Sequence, residues 1–349
     1  MTKYLGIDVG DRNCHLCVLD NDGKVQRRYV CRTERGPLAA ELKELACDGE
    51  PVVAILEAGQ HSHWIAELSQ EAGLDTIVAN PRSVRIIYEG NRKSDRNDAE
   101  HLARLGRVDP QLLKPVTLRS TEAQAQMTVL RSRDVLVRTR RALINSARGL
   151  AKTVGARLPP CDADAFAVKV SECVPRGLEV ALMPLLATVD DLTKRIRALD
   201  GEIRRRTKER PEAKRLLEIQ GVGDITVLAF MLVVGDPNRF STARDIGPYL
   251  GLVPKRDQSG AKDPSLRISK AGNGFLRRLL VNCAQYIAGP HSPDSDLKRF
   301  ANRIGPAGSV DRRKAIIAVT RKLAVLLLRL WQTGQPYQAL RGTAELQAS

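Results

Sequence analysis

Short apolar runs alternate with amphipathic segments in the N-terminal third of the chain, and the two periodicities predict strands and helices in turn. An Asp-Gly step at residues 22–23 tolerates the positive φ of a hairpin turn and joins two of the predicted strands. The predicted strands cover residues 4–9, 14–19, 25–32, 51–57 and 75–79, and the predicted helices cover residues 37–47 and 61–72. This order favours a mixed α/β sheet with flanking helices.

Helical periodicity dominates the rest of the chain. Helices are predicted over about 94–107, with Ser94 as the cap, over 120–152 and over 312–332. Another helix carries apolar residues alternately three and four apart, which predicts a coiled-coil seam. The seam consists of Leu182, Leu185, Val189, Leu192, Ile196, Leu199 and Ile203. Pro184 predicts that this helix begins or kinks there. The seam fits an inter-subunit or hairpin coiled coil, or a helix packed within its own chain.

The elements divide the 349 residues into three expected parts, and the predicted fold class is α/β plus α. Residues 1–115 are expected to form a ribonuclease-H-like mixed sheet with flanking helices. Residues 116–210 are expected to form a helical coiled-coil connector. Residues 211–349 are expected to form a mostly helical C-terminal domain.

The excess of basic residues indicates which class of partner the chain binds. Lys and Arg total 56 against 40 Asp and Glu, a net charge of +16. This surplus favours nucleic acid, whose phosphates release counterions on binding, although ribosomal and membrane-surface proteins carry a similar excess. No apolar run reaches the roughly 18–20 residues that cross a bilayer, and no signal peptide is expected. Seven cysteines with a lone Cys14-x-x-Cys17 predict reduced thiols in a cytoplasmic protein.

Four acidic residues carry the candidate chemistry. Asp8 and Glu57 each end an apolar run, and Asp95 and Asp98 stand three apart at the start of a predicted helix. Singly, each strand-end carboxylate fits a hydrogen bond to a turn. Converging carboxylates repel one another, and a divalent metal neutralises them. In a basic chain the set predicts metal-dependent phosphodiester chemistry on nucleic acid. His61 and His63 follow Glu57, but their position at a helix start favours surface or capping roles.

Candidate nucleic-acid contacts lie mainly in the second half of the chain. Gly221-Val222-Gly223 before an apolar helix is typical of half a helix-hairpin-helix, in which backbone N–H groups approach a phosphate. Basic side chains follow in a loop over 254–263 and in an amphipathic helix. Others lie along the predicted helix over 120–152. The candidates are Gly221, Gly223, Lys255, Arg256, Lys262, Arg267, Lys270, Arg277, Arg278, Arg131, Arg138 and Arg141. Aromatic residues form only 4% of the chain, so base-stacking platforms are poorly supplied.

Together these motifs resemble the DEDD transposases of the insertion-sequence-110 group, which include bridge-RNA-guided recombinases and related DNA invertases. The match runs through Gly6-Ile7-Asp8, Leu56-Glu57-Ala58-Gly59, Asn80-Pro81, residues 93–99, Gly221-Val222-Gly223, residues 251–254 and residues 268–273. The resemblance implies a RuvC-like N-terminal domain in which Asp8, Glu57, Asp95 and Asp98 bind Mg²⁺. It also implies a C-terminal domain with a nucleophilic serine, Ser259, and oligomers in which one subunit's serine completes another subunit's metal site.

Ser259 is not singled out by the loop alone, because Ser265 and Ser269 are also present. Ser269 precedes a predicted helix and fits an N-cap. A serine needs a base or a metal to become a nucleophile, and this loop supplies cations rather than a base. Gln258 stands beside Ser259, where a relative can carry a glutamate.

We therefore expect a magnesium-dependent DNA transposase or recombinase of an insertion sequence that exchanges strands through a phosphoserine intermediate. The expected partners are donor and target duplex DNA, a structured guide RNA and further copies of the chain in a dimer or tetramer, with no membrane. Two alternatives are a guide-independent site-specific invertase and a RuvC-like junction-resolving endonuclease in which the acids activate water. A third is a nucleic-acid-binding protein with a decayed site, which four intact carboxylates disfavour.

Overall fold

The computed structural model describes residues 1–87, 95–255 and 266–340. Contacts divide the chain into two compact units, one ending at Thr121 and the other beginning at Glu122. The predicted boundaries after residues 115 and 210 stay a prediction. Within the described ranges, no helix is both long enough and apolar enough to cross a bilayer.

The first unit is built on a five-stranded mixed sheet of order β3-β2-β1-β4-β5. The central strand β1 pairs antiparallel with β2 and parallel with β4. The strands are β1 (Lys3–Val9), β2 (Asn13–Leu19), β3 (Val25–Arg32), β4 (Val52–Glu57) and β5 (Asp75–Ala79). The helices are α1 (Arg35–Cys47), α2 (Ser62–Glu71), α3 (Pro81–Ile87) and α4 (Asp95–Val108), and a 3-10 helix spans Pro110–Leu113. The expected sheet with flanking helices is confirmed.

The two faces of this sheet are covered by different helices. Leu5 and Ile7 of β1 pack in one core with Leu38 of α1 and Ile65 of α2. The opposite face packs against α4, whose Ala99 and Ala103 cluster with Cys17 and Leu19 of β2. Because successive side chains of a strand point to opposite faces, Asp8 shares the α4 face with Gly6.

The second unit is helical, which confirms the expected mostly helical C-terminal region. Its helices are α5 (Thr121–Thr153), α6 (Phe166–Ser171), α7 (Glu179–Lys208), α8 (Ala213–Leu217), α9 (Asp224–Val234), α10 (Ile246–Tyr249), α11 (Gly274–Ile287), α12 (Asp296–Ile304) and α13 (Arg312–Thr333). Every residue of α9 from Thr226 to Val234 is buried, so this helix lies at the centre of the C-terminal core. Phe230 of α9 contacts the ring of Trp331 on α13.

The seam of α7 is largely buried within its own chain. Polar contacts tie it to α5: Arg133 Nε lies 2.8 Å from Asp200 Oδ1, and Arg140 Nη1 donates to Thr193 Oγ1 at 3.0 Å. Five of the seven predicted seam residues are buried, whereas Leu185 and Leu199 are partly exposed. These contacts give the intrachain interpretation direct support.

Pro184 does not begin α7, because the helix starts five residues earlier at Glu179. The expected start at Pro184 is therefore wrong, whereas the alternative, a kink there, stays a prediction. The backbone N–H that proline lacks would have bonded to the carbonyl of Val180. Val180 is 91% exposed, so water can satisfy its carbonyl and the helix tolerates the proline.

Candidate active site

Asp8 and Glu57 lie side by side at one edge of the sheet. In the parallel pairing of β1 and β4, Gly6 stands opposite Ile55 and Ile7 stands opposite Leu56. Asp8 and Glu57 are the next residues of the two strands, so both leave the sheet at its carboxyl edge. Asp8 is half-buried and Glu57 is exposed.

Helix α4 lies directly on this pair of strands. An added Cβ on Gly6 would lie 1.8 Å from the carbonyl oxygen of Ala99, and one on Gly106 would lie 2.5 Å from Ile55 Cγ1. Only glycine at both positions allows this approach. Since Gly6 and Asp8 share a face, the contact with Ala99 brings the half-buried Asp98 to the side of the sheet that carries Asp8.

Asp95 is the first residue of α4, one helical turn before Asp98. Its side chain lies outside the described residues, as does Ser94, the predicted cap. Among the described side chains, no group of three or more His, Cys, Asp or Glu residues is drawn closely enough together to hold a metal ion. The donor chemistry nevertheless fits a hard divalent cation, because every candidate ligand is a carboxylate. The backbone places Asp8 and Glu57 on adjacent strands and Asp98 on the helix that packs against them.

Glu100 does not belong to this set of candidate metal ligands, because its carboxylate is bonded to two arginines. Arg104 Nε donates to Glu100 Oε1 at 2.9 Å, and Arg28 donates to Glu100 Oε2. Partial burial raises the pKa of Glu100, but the hydrogen bonds from Arg104 and Arg28 outweigh it and hold that pKa below its usual value. Glu100 is therefore an anion in an ion-pair network.

His15 is a further candidate site residue, which the sequence analysis did not single out. It stands opposite Asp8 in the antiparallel pairing of β1 and β2, and it shares a face with Cys17 and Leu19. It is half-buried. The sequence does carry a signal for this pairing. The connection between β1 and β2 is short, and a short connection sets the register of the two strands. An imidazole beside a carboxylate can donate a hydrogen bond or bind a metal.

The histidines near Glu57 take local roles. Trp64 Nε1 donates to His61 Nδ1 at 3.2 Å, and His63 Nε2 bonds with the carbonyl of Arg119. Both histidines are half-buried, and His61 stands at the N-cap position of α2 without a side-chain capping bond, so neither the surface role nor the capping role is seen. Cys14 and Cys17 fall in different cores on opposite sides of the sheet, as strand alternation predicted.

The loop that carries Ser259 is held at its base by a short antiparallel bridge between Pro254 and Ile268. Lys255 N donates to Arg267 O at 2.9 Å, and Ser269 N donates to Val253 O at 2.8 Å. The predicted site residues Ser259, Arg256 and Lys262, together with Ser265, lie outside the described residues.

Ser269 is not the N-cap of α11, so that expectation is wrong. Asn273 takes the position, and its Oδ1 accepts from Leu276 N at 3.0 Å. Gly272 has a φ of 68°, a turn conformation that separates Ser269 from the helix start. Ser269 Oγ instead accepts from Ala271 N at 3.4 Å.

Several of the predicted nucleic-acid contacts form hydrogen bonds or ion pairs within the chain. Arg277 donates to the carbonyls of Leu250 and Ala271, at 2.8 and 2.7 Å. It therefore links these two parts of the backbone. Arg278 and Arg138 both pair with Asp134. Arg138 and Arg278 are nevertheless exposed, as are Lys255, Arg267, Lys270, Arg131 and Arg141.

The two glycines of the predicted helix-hairpin-helix turn have different structural roles. Gly221 has a φ of 87° and packs against Tyr286, where an added Cβ would lie 2.4 Å from the ring. Gly223 caps α9, whose first residue is the acidic Asp224. That carboxylate occupies the end of the helix where a phosphate would bind.

Two family models and several relatives match the sequence. One family model, described as "Transposase IS116/IS110/IS902 family", matches residues 213–320, and a second model, of DEDD transposases of the IS110 type, matches residues 5–155. The Coxiella burnetii transposase for insertion sequence element IS1111A is 30% identical, over 96% of this chain and 91% of that protein. The Yersinia enterocolitica transposase for insertion sequence element IS1328 is 29% identical, over 80% of this chain and 82% of that protein.

Among solved structures, Thermus thermophilus RuvC matches with 18% identity and a TM-score of 0.24, over 29% of this chain and 90% of that one. The sequence match is the stronger result, since the Coxiella relative is covered over nearly its whole length. Together with the two family models, it shows that the chain belongs to the IS116/IS110/IS902 family of transposases.

Proposed function

We propose that the protein is a magnesium-dependent DNA strand-transfer enzyme of an insertion sequence, with its metal site formed by Asp8, Glu57, Asp95 and Asp98. The observation that carries the proposal is the close contact between Gly6 and Ala99. It holds α4 against the strand that ends in Asp8, beside the strand that ends in Glu57. Four carboxylates meeting at one sheet edge would repel one another without a cation.

Magnesium at this site would supply Lewis-acid activation of a nucleophile and stabilisation of the departing oxygen. The chain's own residues do the rest. Ser259 Oγ loses its proton and attacks the scissile phosphorus, a serine–phosphate bond forms, and the bond between phosphorus and one sugar oxygen breaks. That oxygen takes up a proton and becomes the terminal hydroxyl of the cut strand. A hydroxyl of the partner strand then attacks that phosphorus and releases the serine. Each step exchanges one phosphoester for another, so no ATP is required.

Lys255 and Arg267 fit the electrostatic part of this reaction. They are exposed on the two chain segments that flank the serine loop, joined by the hydrogen bond from Lys255 N to Arg267 O. Positive charge at this place would stabilise the extra negative charge of the pentacovalent transition state. Ser259, on this proposal, comes from a different subunit than the four acids.

The proposed partners are donor and target duplex DNA, a structured guide RNA, and further copies of the chain in a dimer or tetramer. The net charge of +16 supports binding to polyanions. Reading the DNA sequence through guide pairing is compatible with an aromatic content of 4%. The guide-independent invertase is the second candidate, and a junction-resolving endonuclease is the third.

The first test is to express the gene with its native flanking DNA and sequence the nucleic acid that copurifies. One structured RNA from the flank, with segments matching two DNA sites, supports the guided enzyme. Random cellular RNA, or none, favours the invertase.

The second test uses the DNA sites so defined in a plasmid recombination assay with Mg²⁺. Glu57→Gln is expected to abolish junction formation, with the exposed Glu71→Gln as the matched control. Ser259→Ala is expected to abolish both junctions and the protein–DNA adduct that survives denaturing electrophoresis. If Ser259→Ala still cleaves DNA, the endonuclease mechanism replaces strand transfer.

A further inference from the structure

A groove of about 1120 Å³ opens in the second unit along one face of α13. Its apolar floor includes Ile317, Val325 and Leu326 of α13, together with Phe300 of α12. Among the described residues that line it, eight are lysine or arginine and Asp296 alone carries a carboxylate. Such an excess of one charge around a low-polarity floor concentrates positive potential inside the groove.

Much of this charge has no counter-ion within the chain. Across the described ranges, the side chains of Arg244, Arg313, Arg321 and Arg329 form neither a hydrogen bond nor an ion pair, and all four are exposed. Lys314 is different, since it pairs with Asp311 at 2.8 Å. Four unpaired guanidinium groups at one groove repel one another, and a polyanion in the groove would relieve that repulsion.

The cations of α13 also follow a regular spacing. Arg313, Ile317, Arg321, Val325 and Arg329 are each four residues apart and form one row along the helix. Cation and apolar side chain alternate in this row. At 1.5 Å of rise per residue, successive arginines are about 12 Å apart along the axis. An extended nucleic-acid strand covers that distance in a small number of nucleotides, so its phosphates can meet successive arginines.

The floor suits exposed bases more than a duplex. The ring of Phe300 is half-buried, and Lys322 Nζ lies 3.7 Å from its centroid. Tyr337 also lines the groove and is half-buried. Aromatic and cationic groups of this kind stack on the faces of unpaired bases, which a duplex keeps inside its own stack. The groove therefore supplies a stacking surface that the low aromatic content of the chain did not predict.

The groove adjoins the serine loop on both sides. Leu252 and Pro254 line it before the loop, and Leu266, Arg267 and Ile268 line it after the loop. We propose that this groove binds an unpaired DNA strand and presents it to the serine loop, an inference that rests on the strand-transfer function proposed above. Phosphates contact the arginine row of α13, and bases lie on Phe300 and Tyr337.

Photocrosslinking tests the proposal without any substitution. The full chain is mixed in EDTA with a single-stranded DNA oligonucleotide that carries 5-iododeoxyuridine, irradiated and mapped by mass spectrometry. Crosslinks at Phe300 or Tyr337 are expected. Crosslinks confined to peptides outside the groove would overturn the proposal. Because EDTA prevents strand cleavage, the result is independent of the proposed reaction.

Fluorescence anisotropy with matched variants supplies the quantitative test. Arg313→Gln/Arg329→Gln removes two cations of the row, and Arg157→Gln/Arg176→Gln removes two exposed cations that do not line the groove. The net charge changes equally in both. We expect the groove variant to bind single-stranded DNA on the order of tenfold more weakly, and to lose about 1.4 from the slope of log affinity against log salt, since each phosphate contact on a single strand contributes roughly 0.7.

Other occupants give different results in the same assay. Equal losses for the two variants, or a groove-dependent preference for duplex DNA or single-stranded RNA of the same length, would overturn the assignment to an unpaired DNA strand. A change in oligomer mass by mass photometry, with DNA affinity intact, would assign the groove to a second copy of the chain. Intact recombination by the groove variant would leave the strand-transfer function standing and remove only this inference.

Discussion

Gly6 of β1 lies so close to the carbonyl oxygen of Ala99 in α4 that an added methyl group would come within 1.8 Å of it. The colliding atom belongs to the backbone, so a side-chain rotation cannot relieve the overlap. The contact therefore fixes the distance between the strand that carries Asp8 and the helix that carries Asp98.

Gly6→Ala is expected to lower the free energy of unfolding by about 3 kcal/mol, because α4 must move off the sheet to admit the methyl group. The same substitution at Gly201 should raise it by about 0.5–1 kcal/mol, since Gly201 lies in the interior of α7 with nothing within 4 Å of an added Cβ. Thermal melting of both variants measures whether stability falls in the first and rises in the second. Equal melting temperatures would contradict the close approach of α4.

Magnesium is expected to stabilise the protein through the carboxylates at the sheet edge. At ten times the dissociation constant, a ligand that binds only the folded state adds about 1.4 kcal/mol. Glu57→Gln should lose this increment, and Glu71→Gln, an exposed substitution at the end of α2, should keep it. The measurement is the melting temperature with and without Mg²⁺. A magnesium-dependent shift that survives in Glu57→Gln would exclude that residue as a ligand.

Acid is expected to weaken the packing of α5 against α7 through Asp164. Its carboxylate accepts from Arg140 at 2.6 Å, and Arg140 is 8% exposed. Partial burial raises the pKa of Asp164, but the hydrogen bond from Arg140 outweighs it, so the folded-state pKa is lowered. The carboxylate therefore stabilises the fold above its unfolded pKa of about 3.9, and this contribution is lost as pH falls through the lower folded value.

Urea unfolding between pH 5 and pH 2 measures this effect. Asp164→Asn should flatten the fall in stability below about pH 4, after a loss already present at neutral pH. Asp190→Asn is the control, because Asp190 pairs with Lys194 on the exposed side of α7. A similar pH profile for wild type and Asp164→Asn would show that the pair with Arg140 contributes nothing measurable.

The strands were predictable because each is short, apolar on at least one face and bounded by turn residues. Asp8 and Glu57 were found for the same reason: an acid that ends a buried run stands out. The close contact of Gly6 with Ala99 was not predictable, since it depends on which helix covers which face of the sheet. A glycine in a strand indicates close approach without naming the partner.

The groove along α13 shows a second limit of sequence reasoning. Its arginine row is visible in the sequence as a four-residue repeat, but Phe300, Leu252 and Arg267 come from distant parts of the chain. Helical spacing indicates which residues share a face, and only tertiary packing shows what lies opposite that face. Asn273 replaced Ser269 as a cap for a related reason: the turn at Gly272 decides where the helix begins.

His15 is expected to contribute to activity through its position opposite Asp8. An imidazole there can orient the carboxylate or contact a phosphate, and both roles affect the reaction more than the fold. His15→Ala should therefore reduce recombination by about 10–100-fold and raise the magnesium concentration needed for half-maximal activity. Its melting temperature without Mg²⁺ should change far less than that of Gly6→Ala. The exposed His291→Ala serves as the control. If His15→Ala recombines at the wild-type rate with an unchanged magnesium dependence, His15 has no role in the reaction and the metal site consists of the acids alone.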